Sequence, residues 1–190
     1  MKLTVLGPGC WGLTLAWLMN DNFENITVWG RESDLNDDLV VNKHCAKPLE
    51  VQLDKKVEIT SDLKKAIDGA DIILSVVATG GVRPVCEQLK AAGINPNVPL
   101  VNASKGLELN TLMRMSEVIK DVLPEQKVVI LSGPTLAKEV LQGKPTAASV
   151  ACDDIEVAEF VQKACNVPNR FRLYTNHDVI GVELGGSLKN

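Results

Sequence analysis

An α/β fold is what this sequence predicts: a doubly wound, mainly parallel sheet with helices on both faces. Three observations carry that expectation. Short apolar runs alternate with amphipathic stretches along the whole chain. The runs are continuously apolar, as in parallel strands buried on both faces. Gly93, Pro96, Pro99 and Pro124 fall at the ends of runs and stretches and mark their boundaries. Such β-α alternation joins parallel neighbours by right-handed crossovers.

Taken in chain order, residues 3–6 are the first strand and 11–19 the first helix. A second strand covers 26–29. Residues 36–54 are the least regular and predict a surface excursion. Residues 57–60 form a strand and 63–67 a short helix. The strand 72–77 leads to the helix 82–92, and 100–101 to the helix 112–122. The strand 128–131 is followed by the helix 136–141. Two more units follow, 147–151 with 155–165, then 171–174 with a helix from about Asp178. No internal repeat, low-complexity tract or linker interrupts the pattern.

Composition narrows the function classes. The 190 residues are 45% hydrophobic and 23% charged, enough to build a core without a disulfide or metal staple. Lys and Arg total 20 against 24 Asp and Glu, a net charge of −4. That balance argues against nucleic acid or an anionic membrane as the partner. No apolar run approaches the ~20 residues that span a bilayer. The N-terminus reaches Gly7 too soon for the apolar region of a signal peptide. Cys10, Cys45, Cys86, Cys152 and Cys165 are odd in number and scattered, without a CxxC pair. They read as reduced thiols of a cytoplasmic protein, with no metal site. His44 and His177 lack metal-ligand spacing and read as surface or capping residues.

Gly7-Pro8-Gly9-Cys10-Trp11-Gly12 is a G-x-G-x-x-G motif. It follows the first strand and opens a helix, the context that makes it a dinucleotide-binding, Rossmann-like turn. Gly7 permits the tight turn, Gly9 lets the backbone approach a pyrophosphate, and Gly12 allows close helix–strand packing. The first-turn N–H groups and the helix dipole favour phosphate there. Cys10 sits where thiol pKa values fall. With no nearby His, it reads as a backbone contact and not as a nucleophile. Cofactor choice belongs at the end of the second strand, where the sequence reads Val28-Trp29-Gly30-Arg31-Glu32. Gly30 leaves room there, and Arg31 offers a guanidinium to a 2′-phosphate, which favours NADP(H). Glu32 offers a carboxylate to ribose hydroxyls and so admits NAD(H).

Later segments place glycine beside lysine or hydroxyl residues. Ser104-Lys105-Gly106-Leu107-Glu108 and Ser132-Gly133-Pro134-Thr135 follow strands, at the edge where open parallel sheets bind ligands. The chain closes with Gly181-Val182-Glu183-Leu184-Gly185-Gly186-Ser187-Leu188-Lys189-Asn190. With the glycine loop, these four ordered motifs resemble the N-terminal cofactor-binding domain of NAD(P)-dependent glycerol-3-phosphate dehydrogenases, over the whole chain.

The resemblance implies the chemistry. It is reversible hydride transfer between NAD(P)H and dihydroxyacetone phosphate to give sn-glycerol 3-phosphate, a step feeding phospholipid synthesis. It implies cofactor contacts at Cys10, Trp11, Arg31, Lys105 and Ala137, and substrate contacts at Lys105, Gly133 and Thr135. Lys189 matches the proton-transfer residue, with Lys105 polarising the carbonyl. Two nearby ammonium groups favour proton loss from one of them. Residues 1–190 then form the dinucleotide-binding domain. The family's helical substrate domain is absent from this chain, which is expected to bind cofactor and turn over poorly. A homodimer is compatible with the full-length enzyme. Two departures stand out. Cys10 replaces a small residue, and Val77-Ala78-Thr79 replaces a Val-Pro-Ser loop, with Thr79 supplying a hydroxyl and Arg83 facing the pyrophosphate. Two rival readings remain: a dinucleotide-binding or sensor module without catalysis, and a 2-hydroxyacid or ketopantoate-type reductase.

Overall fold

A computed structural model of the chain describes residues 1–188. In chain order the elements are β1 (Lys2–Leu6), α1 (Cys10–Leu18), β2 (Asn25–Trp29), β3 (His44–Cys45), β4 (Val51–Gln52), β5 (Glu58–Thr60), α2 (Leu63–Ile67) and β6 (Ile72–Ser75). They continue as α3 (Thr79–Ala92), β7 (Leu100–Asn102), α4 (Met115–Val122), β8 (Val128–Ser132), α5 (Ala137–Leu141), β9 (Thr146–Ala151), α6 (Ile155–Cys165), β10 (Phe171–Asn176) and α7 (Val179–Ser187). The main sheet has the order β10-β9-β8-β7-β6-β1-β2-β5. The chain winds outward from β1 in one direction and restarts at β6 in the other. The switch point between β1 and β6 is therefore where a ligand crevice opens.

Local chemistry sets the helix boundaries. Asp62, Asp154 and Asp178 accept hydrogen bonds from first-turn N–H groups of α2, α6 and α7. Gly93, at φ +78°, ends α3 in the left-handed region. Helix α1 carries apolar residues nearly all round and is buried along most of its length, the outcome expected of such a helix. It packs with α5 and α6 on one face of the sheet, while α2, α3 and α4 cover the other.

The sheet is mainly parallel, as expected, and two local features refine the picture. Every neighbouring pair in the main sheet is parallel except β8 and β9, which are antiparallel. Ser132, the last residue of β8, pairs with Ser149 of β9, and the short α5 lies in the connection between them. The chain is not carried back to the far edge, so β9 starts where β8 ends. The eleven residues of α6 do make that return, and β10 runs parallel to β9. The second feature concerns residues 36–54. They form a single π-helical turn, Asp38–Asn42, and the small β3–β4 ladder. Leu39, Val51 and Leu53 are buried in the core around α1. The segment is the surface excursion expected, anchored over that helix by these three side chains.

Candidate functional site

The glycine loop sits at the switch point. Gly7 adopts φ +108°, and its N–H donates to the Trp29 carbonyl at 2.8 Å. A Cβ on Gly12 would lie 2.1 Å from the Gly7 carbonyl oxygen, so α1 approaches β1 only because position 12 has no side chain. A Cβ on Gly9 would meet nothing within 4 Å. Gly9 caps α1 without a side-chain hydrogen bond, so the positive end of the helix faces open space. These are the features an anionic diphosphate requires.

A cleft of about 570 Å³ runs from this loop between β2 and the start of α3. Trp29 forms part of its wall, as do Arg31 and Asp34. The space expected beside Gly30 is filled. A Cβ there would lie 2.6 Å from Pro8 Cγ and 3.0 Å from Leu35 Cδ2. Arg31 is held by an acid that sequence reasoning passed over. Its Nε and Nη2 donate to Asp34 Oδ2 and Oδ1, each at 2.8 Å. The Arg31 backbone N–H also donates to Asp34 Oδ2, at 3.1 Å. This pairing holds the Asp34 carboxyl below its ordinary pKa. The i,i+3 spacing in the turn Glu32–Asp34 was the available signal.

The structure also places the other residues singled out in this region, and one of them, Arg83, lies elsewhere than expected. Burial raises the Cys10 thiol pKa, outweighing the hydrogen bond with Thr14, in keeping with a backbone role. Arg83 does not face the glycine loop. It donates to Glu108 at 2.8 and 2.9 Å and pairs with Asp121 on α4. The Arg83 hydrogen bonds lower Glu108 to about 2. Thr79 opens α3 and lies beneath Gly106, where a Cβ would meet its Cγ2 at 2.8 Å. Trp11 is half-buried, edge-on to Phe171 at 6.4 Å between ring centroids.

A second, smaller pocket of about 290 Å³ lies at the same carboxyl edge of the sheet. Lys105 projects from the loop after β7. Its Nζ donates to the Gly133 carbonyl at 2.8 Å and to Thr135 Oγ1 at 3.2 Å. Three residues distant in sequence thus converge. Gly133 is hemmed in by backbone, since a Cβ would lie 2.8 Å from Ala147 O and from Ala148 Cα. Ala137 begins α5, which packs on α1. The final turn of α7 closes the pocket. Gly106 N–H donates to Ser187 Oγ at 2.9 Å, and Gly186 sits against Ser132. Lys189 and Asn190 lie outside the described residues.

Helix α7 is anchored by a buried network that sequence patterns did not reveal. Glu183, with its side chain 5% exposed, accepts from Ser116 N–H at 2.8 Å and Ser116 Oγ at 2.5 Å. It also accepts from Arg114 Nη1 at 2.7 Å. An acid in a glycine-rich helix gives no sign of which partner it will meet. Among the described residues, no group of three or more His, Cys, Asp or Glu is disposed to hold a metal ion. His44 Nδ1 lies 2.6 Å from Asp38 Oδ2. No helix among the described residues is long and apolar enough to cross a membrane.

Comparison with known proteins agrees with this geometry. The sequence is 44% identical over 190 residues to a glycerol-3-phosphate dehydrogenase [NAD(P)+] of Thermoanaerobacter sp. (strain X514), covering 100% of this chain and 57% of the relative. It is 42% identical to the protein of that name from Bacillus pumilus, covering 100% of this chain and 55% of that one. The chain therefore spans about half the length of the curated relatives it matches. Among solved structures, glycerol-3-phosphate dehydrogenase from Coxiella burnetii superposes with a TM-score of 0.86 at 28% identity, over 97% of this chain and 56% of that one. Residues 2–158 match the profile described as NAD-dependent glycerol-3-phosphate dehydrogenase N-terminus, and the chain belongs to that family.

Proposed function

We propose that residues 1–190 form the dinucleotide-binding domain of an NAD(P)-dependent glycerol-3-phosphate dehydrogenase. The enzyme would interconvert dihydroxyacetone phosphate and sn-glycerol 3-phosphate, with a separate helical domain enclosing the substrate. The observation that carries this reading is the Lys105–Gly133–Thr135 cluster, held at the same sheet edge as the glycine loop. The residues present fit a dinucleotide. Gly9 leaves an open cradle, α1 lacks a side-chain cap, and Arg31 lines the adjoining cleft. Gly7, Gly9, Cys10, Trp11 and Gly12 would hold the cofactor together with Arg31, Lys105 and Ala137. When bound, its nicotinamide supplies or accepts a hydride.

This chain's residues do the rest. Lys105 draws electron density toward the substrate carbonyl oxygen. Gly133 and Thr135 orient the substrate. Lys189 hands a proton to the oxygen as the alkoxide forms, and takes it back in reverse. All five cysteines are free, which suits a reducing compartment such as the cytoplasm.

The test is a pair of measurements on the purified 190-residue chain. NADH should bind, followed by nicotinamide fluorescence. NADH oxidation with dihydroxyacetone phosphate should be negligible, because these 190 residues span only about half the length of the relatives that carry the activity. Ready turnover by the chain alone would overturn the proposed division of labour. In a version extended by the remaining length of the relatives, Lys189→Ala should lower kcat ~10²–10⁴-fold. Near-normal turnover there would remove Lys189 from its role.

A further inference from the structure

We propose that Asp34 sets the cofactor preference of this domain, reading the adenosine ribose as a hydroxyl and favouring NAD(H) over NADP(H). This rests on the cofactor reading above. In dinucleotide-binding folds, a carboxylate just past the second strand accepts a hydrogen bond from the ribose 2′-OH, and an Arg nearby accommodates a 2′-phosphate. Position 30, at the end of β2, cannot carry that carboxylate. The Pro8 ring and Leu35 occupy the space where any side chain would begin. The chain instead turns through Glu32–Asp34 and returns a carboxylate to the cleft four residues later. Among the described residues lining the cleft, Arg31 is the only cation and Asp34 the only carboxylate.

Their pairing decides what the cleft recognises. Asp34 Oδ2 accepts from both Nε and the backbone N–H of Arg31, and Oδ1 accepts from Nη2. Two acceptor positions on Oδ2 are used, while Oδ1 retains one, the number a single ribose hydroxyl needs. A 2′-phosphate is largely dianionic at neutral pH and accepts hydrogen bonds where the hydroxyl would donate one. It would share the guanidinium with a carboxylate of its own sign and suffer that repulsion. Asp34 is also the better fixed partner. Its side chain is 28% exposed, against 71% for Arg31. The sequence reading of Arg31 as a phosphate ligand describes the guanidinium without its counter-ion.

The test titrates NADH and NADPH into the wild-type 190-residue chain and into Asp34→Asn, following tryptophan-to-nicotinamide energy transfer. The wild type should bind NADH more tightly. Asp34→Asn should lower the ratio of the NADPH Kd to the NADH Kd by about tenfold, the effect of one hydrogen bond to a charged group. Asp34→Ser should shift it in the same direction. Arg31→Ala added to Asp34→Asn should abolish the gain for NADPH. A fold defect would weaken both dinucleotides together, so the ratio isolates the effect. A ratio unchanged within about twofold, or a wild type that prefers NADPH, overturns the inference. Failure of the wild type to bind either dinucleotide overturns the cofactor reading itself, and this inference with it.

Discussion

Gly9 and Gly12 stand three residues apart in one motif, yet the structure gives them opposite surroundings. At Gly12 the missing side chain serves the fold, because a Cβ would collide with the Gly7 carbonyl at 2.1 Å. At Gly9 a Cβ would touch nothing in the fold, and in the proposed function the open space there receives the cofactor. Two substitutions should therefore separate. Gly12→Ala should cost about 1–3 kcal/mol of stability through overpacking and weaken NADH binding as well. Gly9→Ala should leave the urea midpoint unchanged and weaken NADH at least tenfold (~1.4 kcal/mol) by filling the cradle. Equal effects on stability would contradict the assignment. The close packing at Gly12 was legible because the motif has one spacing and one local context. Asp34 was not, since its meaning depends on Pro8 filling the place beside Gly30.

At the scale of elements, the pocket around Lys105 depends on two clamps. Glu183 fastens α7 to the start of α4, so that Ser187 reaches Gly106. Arg83 on α3 ties down Glu108 in the loop before α4 and Asp121 within it. The second clamp carries a pH signature. Glu108 is lowered to about 2 in the folded chain, against about 4.3 for a free glutamate. Its folded value lies below its unfolded value. Its contribution is thus whole above about pH 4.3 and is lost as pH falls toward 2. Urea unfolding of Glu108→Gln should show a deficit against wild type at pH 7 that shrinks steadily between pH 4.5 and 2.5. A deficit constant across that range would mean the ion pair contributes nothing. Neither clamp was legible beforehand, because each joins residues at least 25 positions apart through surfaces that periodicity leaves unassigned.

At the scale of the molecule, cofactor binding and folding are one linked equilibrium. The glycine loop, the α3 start and the Lys105 loop come from separate stretches of chain and converge only in the native state. NADH at 100 times its Kd should therefore raise the unfolding free energy by about 2.7 kcal/mol, read as an upward shift in urea midpoint. No shift, despite measured binding, would show that the unfolded chain binds equally well. The sequence by itself determined the alternation of strands and helices, the position of the glycine loop and the family motifs. These rest on local periodicity and on residues with singular backbone freedom. Only the tertiary structure decided that β9 reverses, because strand direction is set by pairing across the sheet and not by local periodicity. It alone anchored residues 36–54 over α1 through Leu39, Val51 and Leu53, since core residues spread through an irregular segment have no period. It alone gave Arg31 its counter-ion and Glu183 its partners, because charge and hydrogen bonding act through space, where sequence distance carries no weight.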